Sequence, residues 1–401
     1  MNLIVQKFGG SSVADSARIL NAAKIITETY KNGNNVVVVV SAQGDTTDDL
    51  IAKASEVNPK SPKRELDMLL SCGEQISAAL LAMAIESLGC PAVSLAGWQA
   101  GMKTDHNHGM ARILKVDEKR LRQELDKRKI VVVTGFQGIN YSNDVTTLGR
   151  GGSDTSAVAL AAVLGADLCQ IFTDVDGIYT ADPRIVPNAS RLNEISYEDM
   201  LELASLGANV LNNRSVELAQ KYNVKLQVLS SFNNTGGTYV KEADKVEKSL
   251  VTGVTRDNDT ARISLLDIAD LPGKAYEVFS VLADKGINVD LIIQSVGRDN
   301  MQDMSFTVAS SSLKDALDVL NQNSEAINAR AVVWDDKVSK VSIVGSGMAT
   351  NPGVAAGMFK ALYETNVNIL MIATSEIKVS VLIARADAER AVAALHKYFD
   401  L

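Results

Sequence analysis

The chain alternates two kinds of hydrophobic pattern. Short runs rich in β-branched and other apolar residues, unbroken at 36–40 and 130–133, occupy residues 3–7, 36–41, 93–95, 130–134, 168–173 and 224–229. Between them, residues 16–30, 65–88, 153–164, 197–207 and 215–222 repeat apolar positions every three or four residues. The runs have strand length and the periodic stretches have helix length. A strand without polar alternation is buried on both faces, which is the habit of parallel sheets covered by helices. The spacing therefore predicts an α/β fold with a mainly parallel central sheet.

That alternation stops near residue 235. Asn233-Asn234-Thr235-Gly236-Gly237 is rich in turn formers and residues 241–248 are mostly charged, so a domain boundary is expected there. Beyond it the sequence repeats itself 80 positions later. Ile263 matches Ile343, Pro272-Gly273 matches Pro352-Gly353, Phe279 matches Phe359, Leu282 matches Leu362, Asn288 matches Asn368 and Ser295 matches Ser375. Each copy reads strand, helix, strand, strand, helix, which suits a ferredoxin-like βαββαβ module. The first copy finds its fourth strand at residues 331–334. The second ends at helix 386–398 and has none. A spare β-branched run at 250–254 is expected to complete it, so that the modules interleave. The expected domains are 1–240, 260–335, and 249–256 with 338–401.

Composition changes this picture little. The 401 residues are 46% hydrophobic and 22% charged, with net charge −8. An acidic balance argues against nucleic acid as the main partner. Cys72, Cys90 and Cys169 sit in apolar contexts without metal or redox spacing, so buried reduced thiols are expected. The N-terminus lacks a signal-peptide pattern and the apolar runs are strand-sized, so a cytoplasmic protein away from membranes is expected.

Three segments carry the groups that hold phosphate: Lys7-Phe8-Gly9-Gly10, residues 147–157 (TLGRGGSDTSA) and residues 173–184 (TDVDGIYTADPR). Glycines let backbone N–H groups converge on an anion, and a helix N-terminus adds its dipole. No Walker-type G-x-x-x-x-G-K-[ST] loop is present, so a phosphoryl-transfer enzyme of another architecture is indicated. Lys7 ends a strand and is either a surface lysine or a ligand to transferring phosphate. Arg150, between glycines at a helix start, suits a clamp on carboxylate or phosphate, while Ser153 or Asp154 suits an N-cap. In the third segment Asp174 would meet polar groups of a nucleotide, Tyr179 its base or ribose and Arg184 its phosphate. The rest of an EF-hand loop is missing. Gly73-Glu74 interrupts an apolar helix; Glu74 is either a buried salt-bridge partner or the receiver of a substrate ammonium. Ser41 and Thr47 either cap the next helix or bind a polar substrate. His106-Asn107-His108 lacks further metal ligands nearby, and Gly345-Ser346-Gly347-Met348 lacks the third glycine of a dinucleotide fingerprint.

Together these motifs resemble the aspartokinases of the amino acid kinase superfamily. The resemblance rests on KFGG at 7–10, VVSAQGDTTD at 39–48, GEQIS at 73–77, the two longer segments above, ELASLGANVLNNRSVELAQKYNV at 202–224 and paired C-terminal modules similar to ACT domains. It covers essentially the whole chain. It implies a three-layer α/β/α kinase domain followed by two ACT modules, and ATP-dependent phosphorylation of the β-carboxylate of L-aspartate. It implies ATP with Mg2+ held mainly by the phosphates and no metal ligands from the protein. Lys7, Asp154 and Arg150 would be catalytic. Ser41, Thr47, Glu74, Arg150, Gly151, Gly152 and Ser153 would form the aspartate pocket. Lys7, Phe8, Gly9, Gly10, Thr173, Asp174, Tyr179 and Arg184 would hold the nucleotide. Feedback inhibition by lysine and/or threonine is implied at Asp270, Gly273, Lys274, Ala275, Asn288, Val289, Gln294 and Ser295. The second copy would offer Asn351, Pro352, Gly353, Val354, Asn368, Ile369, Ser375 and Glu376. A homo-oligomer through the ACT modules is implied as well. Relatives often carry His-Pro where this chain has Asn212-Asn213. Two alternatives are another amino acid or carboxylate kinase of the superfamily, and a non-catalytic amino-acid sensor.

Overall fold

The structure, a computed structural model, describes residues 1–208, 210–233, 236–243, 250–297, 299–346, 348 and 351–401. Most of the charged stretch at the expected boundary (residues 244–248) and Gly347 lie outside the described residues. The chain divides into two compact units. The first comprises Met1–Ile178, Arg191–Ala204 and Asn209–Val246; the second comprises Tyr179–Ser190, Ser205–Ala208 and Glu247–Leu401.

In chain order the first unit holds β1 (Leu3–Phe8), α1 (Ser16–Lys31), β2 (Asn35–Val40), α2 (Thr46–Val57), α3 (Lys63–Ser87), β3 (Ala92–Leu95), β4 (Met102–Thr104) and β5 (Ile113–Val116). There follow α4 (Lys119–Asp126), β6 (Ile130–Thr134), β7 (Gln137–Ile139), β8 (Val145–Thr147), α5 (Gly152–Leu164), β9 (Leu168–Thr173), β10 (Glu194–Ser196), α6 (Tyr197–Ser205), α7 (Asn213–Tyr222), β11 (Leu226–Ser230) and β12 (Thr238–Lys241). Eight strands form one sheet in the order β10-β12-β11-β9-β1-β2-β6-β3. From β11 to β3 every neighbour is parallel, and β12 alone runs antiparallel to β11.

The valine run of β2 shows why this sheet is two-sided. All of Val36 to Val40 are buried. Successive side chains of a strand point to opposite faces. Val36, Val38 and Val40 join Ile19 and Ile26 of α1 and Leu81 and Ile85 of α3 in one core. Helix α5 packs against β1, β2 and β9 and is itself buried over most of its length. The result is a three-layer arrangement with β1 near the middle of the sheet.

The carboxyl ends of these strands are knitted together by their following loops. The Gly9 N–H donates to Phe172 O (3.2 Å), Ser41 N–H to Phe8 O (3.1 Å) and Gly135 N–H to Val40 O (2.9 Å). A second sheet, β5-β4-β7-β8, lies beside this edge. Its strands are three or four residues long and partly polar, too short for periodicity to reveal. The expected burial of all three cysteines needs one correction: Cys72 is exposed, because it faces outward from α3 while its neighbours Ser71 and Gly73 face inward.

The second unit holds β13 (Gly253–Asp257), β14 (Ala261–Ala269), α8 (Lys274–Asp284), β15 (Val289–Gln294), β16 (Met301–Val308), α9 (Leu313–Gln322), α10 (Ser324–Ile327) and β17 (Ala331–Asp335). It continues with β18 (Val338–Val344), α11 (Val354–Glu364), β19 (Ile369–Thr374), β20 (Lys378–Ala384) and α12 (Ala388–Tyr398). Two four-stranded sheets result, β15-β16-β14-β17 and β13-β18-β20-β19. Strand β13 pairs antiparallel with β18, Val254 opposite Ile343 and Thr255 opposite Ser342. It begins at Gly253, later than the apolar run at 250–254 suggests. The chain has already joined β18 at Thr252, whose N–H donates to Val344 O (2.7 Å). The Leu250 carbonyl packs so close to Gly345 that a Cβ there would lie 2.2 Å from it. Gly345 is thus a packing glycine.

The segment Tyr179–Ser190 belongs to this second unit. Ala181 and Val186 enter the core of the second module beside Val254, Val341 and Leu395. Thr180 Oγ1 lies 2.9 Å from the buried His396 Nε2.

Val254 is buried on β13, so Val254→Asp places an unpaired charge in that core. A loss of about 3 kcal/mol or more is expected. Urea unfolding followed by circular dichroism checks it; an unchanged midpoint would show that β13 contributes nothing to the second module.

Candidate active site

Lys7 ends β1 and is only 9% exposed. Its Nζ lies 2.7 Å from Asp154 Oδ1 in the first turn of α5. The side chain passes over Gly9, where an added Cβ would come within 3.3 Å of Nζ. Gly10 is tighter still: an added Cβ there would lie 2.9 Å from the Ala42 carbonyl oxygen. The Phe8 ring is fully buried and stacks on Phe172 with centroids 4.6 Å apart.

The start of α5 corrects one expectation. Neither Ser153 nor Asp154 caps the helix. The cap is Gly151, in the left-handed region at φ 69, with no side-chain cap bond. Gly152, Ser153 and Asp154 lie within the buried first turn, which leaves the free N–H groups of that turn unclaimed by a capping side chain. A Cβ on Gly151 would collide with the Asn212 side chain. Asn212 Nδ2 donates to Arg150 O (3.2 Å), and Asn212 Oδ1 accepts from Arg214 N–H (3.0 Å) at the start of α7. Arg150 itself is exposed.

Glu74 sits on the inward face of α3. It is 3% exposed. Its Oε1 accepts from the Ala42 N–H (3.1 Å), while Oε2 is buried with no partner. It is not a salt-bridge partner. Burial pushes its pKa up to about 7, against the pull of the Ala42 N–H. The neighbouring Gly73 lets α3 approach the loop after β2: a Cβ there would sit 2.7 Å from Ala42 Cβ. Ser41 opens that loop and Thr47 lies in the first turn of α2, and both are partly buried. Neither caps α2, whose N-cap is Asp45 without a side-chain bond.

The third segment is divided between the units. Thr173 and Asp174 lie in the first, where Thr173 Oγ1 donates to Asp174 Oδ1 (3.0 Å) and Thr173 O accepts from Ser231 N–H (3.0 Å). Tyr179 and Arg184 lie in the second, and Arg184 is exposed and paired with Asp182 (2.8 Å). Among the described residues no group of three or more His, Cys, Asp or Glu is arranged to hold a metal ion.

The expected effector residues fall at matching places in the two repeats. Gly273 and Gly353 cap α8 and α11 with φ of 97 and 107 and open space where a Cβ would go. Asn288 and Asn368 immediately precede β15 and β19. Lys274 is already engaged, with Glu277 Oε2 at 2.7 Å and Ala326 O at 2.9 Å. Gln294 bonds Gln302, and Ser295 Oγ accepts from Asp303 N–H (2.9 Å). The sequence reading missed Asp67 and Arg214, both buried or half-buried beside the Arg150 loop. Two carboxylates seven residues apart on an apolar helix, Asp67 and Glu74, are the signal that would have found the first.

Residues 2–230 match the amino acid kinase family, and residues 267–323 and 341–399 match the ACT domain. The aspartokinase of Corynebacterium glutamicum is 52% identical over 407 residues, covering 100% of this chain and 97% of that protein. Escherichia coli aspartokinase III in complex with aspartate and ADP (R-state) is 27% identical with TM-score 0.82, covering 100% of both chains. The same enzyme in complex with lysine and aspartate (T-state) is 26% identical with TM-score 0.79, covering 99% of each.

The unpartnered Glu74 carboxylate has a consequence for stability. Its proton is retained in the folded chain up to about pH 7, whereas the unfolded chain releases it near 4.5. Folding stability from this group is full below pH 4.5 and is lost as pH rises to 7, by about 3 kcal/mol. Glu74→Gln is therefore expected to raise the melting temperature of the ligand-free protein at pH 8 and to change it little at pH 5. Equal shifts at both pH values would contradict this account.

Proposed function

The chain belongs to the amino acid kinase family and is an aspartate kinase, and we propose from that premise how its residues divide the work. The γ-phosphoryl group of ATP passes to the β-carboxylate of L-aspartate, giving 4-phospho-L-aspartate and ADP. A carboxylate is already a nucleophile, so positioning and charge neutralisation carry the reaction. The observation that carries the assignment is Glu74: a buried carboxylate with one oxygen unpartnered suits a ligand that brings a cation. The α-ammonium of aspartate fills that role, and the exposed Arg150 takes the α-carboxylate. Ser41, Thr47, Gly151, Gly152 and Ser153 complete the pocket.

Lys7 neutralises charge that develops on the transferring group, held in line by Asp154 at 2.7 Å. The backbone of Phe8, Gly9 and Gly10 lines the phosphates. Thr173 and Asp174 contact the nucleotide. Mg2+ held mainly by the ATP phosphates would lower their charge.

The ACT modules take an inhibitory amino acid, lysine and/or threonine. The lysine complex of the Escherichia coli enzyme supports this, as do the matched open helix starts at Gly273 and Gly353. Such an N-terminus offers free N–H groups to an α-carboxylate. The reaction opens the route to lysine, threonine and methionine, in a cytoplasmic homo-oligomer joined through these modules.

Lys7→Ala is expected to lower kcat about 10²–10³-fold, the usual cost of losing a charge-stabilising donor. Glu74→Gln is expected to raise the aspartate KM at least about tenfold and to narrow the preference for aspartate over succinate, which lacks the ammonium. A coupled ADP assay over both acceptors reads each effect. Near-normal turnover by the Lys7 variant, or unchanged discrimination by the Glu74 variant, would sink the corresponding role.

Replacing Asn288 or Asn368 by Ala is expected to weaken inhibition by lysine or threonine while uninhibited kcat stays within about threefold, since allostery couples separate sites. Inhibition curves for both variants decide the matter. If neither curve moves, the effector is held elsewhere.

A further inference from the structure

We infer that Asp67 is a positioning residue for the amino acid substrate. It ties the loop that carries Arg150 to the helix that carries Glu74, so that α3 sets the gap between the groups taking the substrate's carboxylate and ammonium. The inference rests on the proposed roles of Arg150 and Glu74.

Asp67 and Glu74 lie seven residues apart on α3, two helical turns along one inward face. Asp67 is 1% exposed. Its carboxylate is fully engaged, and each partner belongs to one of two loops. Oδ1 accepts from Thr147 Oγ1 (2.6 Å). Both oxygens accept from the Gly109 N–H (3.1 and 3.0 Å). Oδ2 lies 2.8 Å from His108 Nδ1, which gives that histidine a place in the fold without any metal.

Thr147 ends β8, three residues before Arg150. The segment between them is held at each step. Thr147 O accepts from Ala111 N–H (2.9 Å). Arg214 Nη1 donates to Leu148 O (3.1 Å) and its Nη2 to Ala111 O (2.9 Å). Asn212 Nδ2 donates to Arg150 O (3.2 Å). All these bonds end on backbone, and the Arg150 side chain stays exposed.

A carboxylate buried to this degree is costly unless every oxygen is satisfied. Here it is satisfied by Thr147, three residues before Arg150, and by the His108-Gly109 turn between β4 and β5. Displacing the loop by one bond length would misplace a bidentate clamp, to which such contacts are sensitive.

The test compares Thr147→Val, Thr147→Ser, Asp67→Asn and Arg150→Ala in the full chain, with KM for aspartate, KM for ATP and melting temperature measured for each. Thr147→Val removes only the hydroxyl donor. It is expected to raise the aspartate KM about tenfold while the ATP KM stays within about twofold, comparable to one lost hydrogen bond to a charged group. Thr147→Ser keeps the donor and is expected to behave like the parent. Asp67→Asn is expected to shift the aspartate KM further in the same direction. If Thr147→Val and Asp67→Asn lower the melting temperature but leave the aspartate KM unchanged, while Arg150→Ala raises it, the positioning role is overturned and the Arg150 role stands. If Arg150→Ala itself leaves the aspartate KM unchanged, both fall.

Discussion

The ion pair between Lys7 and Asp154 is the constraint on which the first unit turns. Both groups are about nine-tenths buried. Two charges withdrawn from water at this depth cost several kcal/mol each, and their attraction repays that only when the geometry is held. The fold holds it from two sides. Lys7 stands at the end of a central parallel strand flanked by β2 and β9, and Asp154 stands in the first turn of a helix buried against the same strands. The parallel architecture is what brings a strand end and a helix start to one edge. Ligands in open α/β sheets bind at that edge for the same reason.

Close approach is the second requirement, and glycine supplies it where a Cβ would collide. Gly10 meets Ala42, Gly73 meets Ala42 from α3, and Gly135 meets Ser153. These contacts draw β1, the loop after β2, α3 and α5 onto one small volume. The cost shows at Glu74, a buried carboxylate with only one oxygen hydrogen-bonded to the protein. Such a group weakens the ligand-free fold and strengthens whatever ligand completes it. Local destabilisation of this kind belongs to functional sites.

Much of this was legible in the residue pattern. Unbroken valine runs reveal buried parallel strands because both faces are covered. The motifs around Lys7, Glu74 and Asp154 stand out because charge beside glycine is rare in a core. What escaped detection has physical causes too. The strands of the small sheet are too short for periodicity to register. Ser153 and Asp154 are good capping residues in isolation, yet the backbone turns two residues before Ser153, at Gly151, beside the Asn212 side chain. Asp67 does not stand out in the sequence because its partners Thr147 and Gly109 lie far away along the chain, and only the tertiary fold joins them. The segment 173–184 read as one loop, but Ile178 ends one unit and Tyr179 begins the other.

In the second unit, chain order and spatial order part company. Strand β13 precedes the first repeat and completes the sheet of the second, as the arithmetic of the repeat requires: without it β18 would have an unpaired edge. The two modules therefore cannot be separated by a single cut between them. Side chains reinforce the link. Leu291 of β15 packs with Val338, Met371 and Leu382 of the other sheet, and the buried Lys340 of β18 pairs with Asp290 of β15. Opening either sheet would expose apolar surface and strand a buried ammonium in the other. The two sheets thus share an apolar cluster and an ion pair, so neither can be displaced without disturbing packed groups of the other.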